Sequence, residues 1–383
     1  MKIKYCIVFV MLSIAKSNYA QNKLQVINAN SKRVDIKEDG KLTKYAWLIS
    51  PKEKLDIYKT CGKIVTFYTD RDSITFAVDP KVGEYNFVIL VNGKDSAYTQ
   101  IKYAAGYKQP VQPTAADVRK LIEGQVYALK VTPEKIYKVE NRCVWNGADS
   151  IKIRIYYPNG NKKQRVIFNI HGGGLVACNL DTHDNICRIL ANKTQSIVIA
   201  LDYRKPPESP FPAGINDCNT VLRWIKAKAH SLGGDANNII LVGDSGGGLL
   251  LTALAIKLQK KLNVKAIVLV NPAVDLRNYE EGPNAFVTGW YLNEKNPDDS
   301  LASPATAKNF SFLPRTLIIT SEKDILKPQG ISFYNKLIAN GVNARSVDIP
   351  GKGHLAGYWA AEHEKANEAI TETVKFIVAD MQK

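Results

Sequence analysis

The 383-residue chain is short of the residues that hold metals and short of long apolar runs. None of its five histidines stands in a metal-ligand spacing, and no C-x-x-C occurs among its six cysteines. Nothing in the pattern calls for a metal or a cofactor. Basic residues outnumber acidic ones, 52 against 36, for a net charge of +16, yet no run of four or more basic residues occurs. Charge scattered this way describes a solvated basic surface; the concentrated stripe that grips nucleic acid is missing, so no nucleic-acid partner is expected. The one notable apolar run, Cys6 to Ile14, is too short to span a bilayer, and no other stretch is long enough.

That run has a different reading. Lys2 and Lys4 precede it and small residues come after it, the order of an export signal over residues 1–20. Ala20 is the expected last residue before cleavage, with Ala15 or Ser17 as alternatives. Export would place the protein in a periplasm or outside the cell. Loss of Cys6 leaves Cys61, Cys143, Cys178, Cys187 and Cys218, an odd number. Most read as small buried apolar residues. A single disulfide drawing on Cys61 or Cys143 is the alternative.

Length, with 45% hydrophobic and 23% charged residues, fits two globular domains. Residues 21–106 alternate in the manner of strands: Lys63–Thr69, Ser73–Val78, Asn86–Val91 and Ala97–Tyr103, the last two flanking the turn Asn92-Gly93-Lys94-Asp95. A small β-sandwich-like module is expected there. It would either dock to a surface or carbohydrate or simply pack. Asp70, Asp72 and Asp79 read as solvated turn residues and not as a calcium site. KQPVQP at 108–113 has linker character, and Thr114 is placed to cap a following helix.

From Arg165 apolar strands alternate with helical stretches. Strands are expected at Val166–Ile170, Ile197–Leu201, Ile239–Val242, Ala266–Val270, Thr316–Thr320 and Ala344–Ile349. Helices are expected at Asp181–Thr194, Gly214–Leu232, Leu249–Lys261, Gln329–Asn340 and Glu362–Ala379. The pattern implies an α/β fold with a doubly wound, mostly parallel sheet, whose sites lie at the carboxyl ends of the strands.

Each chemical motif stands at such an end. Gly243-Asp244-Ser245-Gly246-Gly247 joins a strand to a helix, so Ser245 sits at the apex of a sharp turn. His171 opens a loop with Gly172, Gly173 and Gly174, bare backbone suited to stabilising an oxyanion, while His171 itself reads as a brace for that loop. Asp324 comes after the fifth strand of the series and His354 after the sixth, in the order serine, aspartate, histidine. Glu322 and Asp275 are rival carboxylates. His183, His230 and His363 fall in helical stretches and are expected at the surface. Arg204 and Glu208, in the proline-rich DYRKPPESPFPA at 202–213, read as braces between loops. Phe211, Phe286, Trp290 and Tyr291 are either pocket walls or core aromatics.

HGGG at 171–174, DYRKPPESPFPA, GDSGG at 243–247, ASP at 302–304, SEKDIL at 321–326 and GKGH at 351–354 together resemble the hormone-sensitive-lipase branch of α/β-hydrolase esterases. The resemblance covers roughly residues 114–383. It implies Ser245 as nucleophile, His354 as base and Asp324 as its orienter. Oxyanion donors would come from the glycine loop, chiefly Gly173 and Gly174, and from Gly246. It also implies a catalytic domain over 107–383 with a helical cap drawn partly from 114–129, and short acyl esters of small molecules as substrates; the export signal and the strand-rich module suggest glycan-linked acetates as the alternative. The chain departs from the family in having Gly246 in place of alanine and Lys205-Pro206 in place of Leu-Ala. Its segment 278–301 is shorter than usual.

Overall fold

A computed structural model describes residues 114–383 except 148, 278–284, 362–366 and 380–383, and leaves the side chains of 285 and 286 aside. Before residue 114 it describes only the backbone of strand segments, among them Leu24–Asn28, Ile64–Tyr68, Ser73–Ala77 and Tyr85–Asn92, paired into two four-stranded sheets. Those strands belong to a unit separate from the compact unit that contains residues 113–383. The expected signal, Cys6, Cys61, Asp70, Asp72, Asp79 and His363 lie outside the described residues.

The larger unit is built on one eight-stranded sheet. Its strands are β1 (Lys138–Asn146), β2 (Asp149–Tyr157), β3 (Gln164–Ile170), β4 (Ile197–Asp202), β5 (Gly234–Asp244), β6 (Ala266–Val270), β7 (Arg315–Ser321) and β8 (Ala344–Ile349). They lie in the order β1-β2-β4-β3-β5-β6-β7-β8. β1 and β2 form an antiparallel hairpin, β2 meets β4 antiparallel, and the remaining pairs are parallel. Side chains alternate between the two faces, and both faces are covered. Val166, Phe168 and Ile170 of β3 enter one core cluster and Ile167 the other. This is why the strands read as nearly unbroken apolar runs.

The helices are α1 (Ala115–Ala128), α2 (Asp184–Thr194), α3 (Ala213–Lys228), α4 (Gly246–Leu258), α5 (Ala285–Leu292), α6 (Lys327–Ala339) and α7 (Glu368–Val378). Thr114 caps α1 as expected. Its hydroxyl accepts from the Asp117 N–H at 3.2 Å, and the Asp117 carboxylate accepts from the Thr114 N–H at 2.9 Å. Strand register gathers the functional loops at one place. Ile170 pairs with Gly243, Asp244 with Val270, and Ser321 with Ile349, so the strand ends form one rim. The glycine loop, the serine turn, Asp324 and His354 all follow strands of that rim.

Several boundaries differ from expectation, two of them in the elements that flank Ser245. β5 begins at Gly234, ahead of its apolar run, because Gln164 and Gly234 extend the pairing with β3 across a register shift. α4 begins at Gly246, directly after the serine. Cys178, Cys187 and Cys218 are buried free thiols; Cys143 is exposed and has no disulfide partner among the described residues.

Candidate active site

Gly243 and Gly247 make the turn after β5 possible through close approach. A Cβ on Gly247 would sit 2.0 Å from the Ile170 carbonyl oxygen and 2.6 Å from that of His171. One on Gly243 would sit 2.8 Å from the Gly247 oxygen. Ser245 is thereby forced to φ +48° and ψ −120°, a conformation that costs an L residue energy and is held only by its surroundings. Its N–H donates to Val270 O at 2.9 Å, and its carbonyl accepts from Gly248 and Ala273.

His354 comes from the loop after β8 and Asp324 from the turn between β7 and α6. His354 Nε2 lies 3.0 Å from Ser245 Oγ, and its Nδ1 lies 2.9 Å from Asp324 Oδ2. All three residues are buried. A carboxylate accepts only, so the Nδ1 facing it carries a proton and Nε2 is left with a lone pair toward the serine. That arrangement can take a proton from the hydroxyl as it attacks a carbonyl. The rivals sit elsewhere: Asp275 is paired with Arg277, and Glu322 accepts the Gly351 N–H.

The glycine loop lies against this turn. A Cβ on Gly172 would be 3.1 Å from Ser245 Cβ, and one on Gly246 would be 3.0 Å from the Leu175 nitrogen. Gly173 has φ +113°, open to glycine alone, and closes a tight turn by accepting from Ala177 N at 3.0 Å. Gly172 differs from its neighbours and is withdrawn from the expected oxyanion donors. Its N–H already donates to Asp244 Oδ2 at 3.1 Å. Among the described residues the N–H groups of Gly173, Gly174 and Gly246 have no partner.

Braces around the loop are as expected in kind. His171 stacks on Tyr203 with ring centroids 4.5 Å apart, and its Nδ1 lies 2.7 Å from Gly172 O. Burial, helped by nearby Lys205, holds its pKa well below the usual histidine value, so the ring is neutral and donates from Nδ1. Arg204 forks onto Asp217, which is wholly buried on α3, and also meets Asp149. Arg119 of α1 grips Glu208 through two bonds of 2.8 and 2.6 Å and donates to the carbonyls of Val176 and Pro206. α1 is thus tied to the tail of the glycine loop and to the proline-rich segment. Phe211 and Tyr291 are buried against each other, with Phe211 N donating to Tyr291 O at 2.8 Å. Trp290 is half-buried, and the Phe286 side chain lies outside the described residues.

His183 overturns its expected place. It is buried at the start of α2, with Nε2 3.4 Å from Asp244 and 3.2 Å from Trp359 Nε1. Helical periodicity does not report on a residue standing just before the first turn. His230 is exposed, as expected. The sequence reading also missed Asn271, the first residue past β6. Its Nδ2 donates to Asp324 Oδ2 at 2.6 Å. The signal was present: a polar residue at the carboxyl end of an apolar strand, where the other site residues stand.

Comparison with known proteins agrees. The profile of a family with the alpha/beta hydrolase fold matches residues 167–357. The carboxylesterase NlhH of Mycobacterium tuberculosis is 32% identical over 269 residues, 64% of this chain and 84% of that protein. A versiconal hemiacetal acetate esterase of Dothistroma septosporum is 32% identical over 287 residues, 67% of this chain and 85% of its own. The solved esterase of Pyrobaculum calidifontis superposes with a TM-score of 0.64 at 29% identity, covering 72% of this chain and 96% of that one. The chain belongs to the hormone-sensitive-lipase branch of the α/β-hydrolase esterases and is a carboxylic ester hydrolase.

Proposed function

We propose that the protein is an exported serine esterase acting on short-chain acyl esters through an acyl-enzyme on Ser245. The contact of Ser245 Oγ with His354 Nε2 at 3.0 Å, with Asp324 behind the imidazole, carries the reading. Ser245 Oγ attacks the ester carbonyl while His354 takes its proton. The oxyanion that forms is met by the N–H groups of Gly173, Gly174 and Gly246. His354 then gives its proton to the departing alcohol. Water, deprotonated by the same imidazole, attacks the acyl-enzyme and releases the acid and Ser245. Asp324 holds the ring in its tautomer and stabilises the imidazolium.

Short acyl chains are supported by a relative whose name specifies an acetate ester. Export is supported by Lys2, Lys4 and the apolar run Cys6–Ile14. A second reading, an acetyl esterase of polysaccharides, draws on the same signal and on the separate strand-rich unit before residue 113, which would serve as a carbohydrate- or surface-docking module. The intact triad speaks against a purely binding role.

The test is hydrolysis of p-nitrophenyl acetate, butyrate, octanoate and palmitate, with Ser245→Ala alongside. Rates should fall with chain length and vanish in the variant. A wild type inert on all four esters while active on acetylated xylan would favour the polysaccharide reading.

A further inference from the structure

The three residues proposed as the triad leave out the side chain that approaches Asp324 most closely. Asn271 is buried between the ends of β6 and β7, and its side chain serves two neighbours. Nδ2 donates to Asp324 Oδ2 at 2.6 Å and to Ser321 Oγ at 3.0 Å, and Oδ1 lies 3.3 Å from the same hydroxyl. The amide orientation comes from chemistry, because a carboxylate accepts only and must face the NH₂ group. Asp324 Oδ2 therefore takes two donors, Asn271 and His354, while Oδ1 takes the Leu326 N–H at 2.9 Å.

We propose that Asn271 is a positioning residue of the esterase, whose amide fixes the Asp324 carboxylate in the orientation from which it aligns His354. The inference rests on the esterase reading above. Three donors from three directions leave the carboxylate no freedom to rotate. Two of them, Leu326 N–H and Asn271 Nδ2, stay in place whatever His354 does during turnover. A neutral donor suits the position. A lysine or arginine there would compete with the imidazolium for the Asp324 charge; an amide leaves that charge to His354. The backbone favours the same residue type. Asn271 has φ +45°, a left-handed conformation that asparagine tolerates better than most side chains. Of its links to β7, the backbone bond, N–H to Ile319 O at 2.7 Å, survives loss of the side chain, which takes only the Ser321 contacts with it.

That separation supplies the test. Asn271→Gly removes the amide while keeping the Ile319 bond and easing the backbone. Asn271→Asp keeps the shape but sets an acceptor against a buried carboxylate. Kinetic constants for p-nitrophenyl butyrate are measured across pH for both variants, for wild type and for Ser245→Ala. In Asn271→Gly, kcat should fall about ten- to a hundredfold, the scale of a lost hydrogen bond to a charged group, with KM little changed. The acid limb of kcat/KM should move to higher pH in both variants, and further in Asn271→Asp wherever the added carboxyl ionises beside Asp324. The position of that limb does not depend on how much of a variant folds. Wild-type kcat and an unmoved limb in Asn271→Gly, with Ser245→Ala inert, would overturn the positioning role alone. Activity surviving in Ser245→Ala would overturn the esterase reading and this inference with it.

Discussion

The loops around Ser245 are held on two sides by different physics. On the nucleophile side backbone lies on backbone: Gly247 meets the Ile170 and His171 carbonyls so closely that no Cβ fits between them. On the other side α1 is held by Arg119 and Glu208, with side chains 27% and 63% exposed. Arg204 stands between these extremes, a partly exposed guanidinium on the fully buried Asp217 carboxylate. The chemistry sits where contacts are short, dry and without slack. α1 is tied where water and salt compete for the tie.

Three substitutions grade that contrast. Gly247→Ala should have the largest effect. Its methyl would displace the serine turn from the glycine loop, and a misplacement near 1 Å costs about a hundredfold in rate. Overpacking should add about 1–3 kcal/mol of destabilisation. Paired kcat and urea-unfolding measurements check both, and wild-type values would show that the two backbones part without consequence. Arg204→Ala should come next. It leaves Asp217 with only the residue 204 N–H and Asn146, at a cost of about 3 kcal/mol. Adding Asp217→Asn should recover most of that loss in urea unfolding; no recovery would mean that Arg204 acts through packing and not charge.

Glu208→Gln should have the smallest effect. Arg119 draws the Glu208 pKa from 4.5 down to about 2. A depressed carboxylate stabilises the fold above its ordinary pKa and loses that contribution as pH falls from 4.5 toward 2. Exposure screens it to about 0.5 kcal/mol or less. The difference in melting temperature between wild type and Glu208→Gln should therefore be small at pH 7, shrink with added salt and close as pH falls toward 2. A large, salt-insensitive difference would place the α1 tie among the dry contacts.

Much of this was legible in the chain because each strand is a short apolar run and each chemical residue stands directly after one. Place and order picked out Ser245, Asp324 and His354 as candidates, the structure brings their side chains within hydrogen-bonding distance, and the α/β alternation from Arg165 onward carried the sheet. What escaped was relational. Gly172 is the same residue type as Gly173 and Gly174, and only the position of Asp244 reveals that its N–H is spent. His183 precedes its helix, where periodicity does not say which way a side chain turns. Asn271 stands 53 residues from the carboxylate that it touches, and nothing local links them. β5 starts at Gly234, in a stretch of glycine, aspartate and asparagine that has no strand character until β3 is beside it.

The most direct measurement is peptide mass spectrometry after reaction with a p-nitrophenyl alkylphosphonate, with residual ester hydrolysis followed in parallel. One phosphonyl group per chain on Ser245, rising in step with the loss of activity, is the predicted result. Full activity with Ser245 labelled, or activity lost with the label on another residue, would contradict the assignment of the nucleophile.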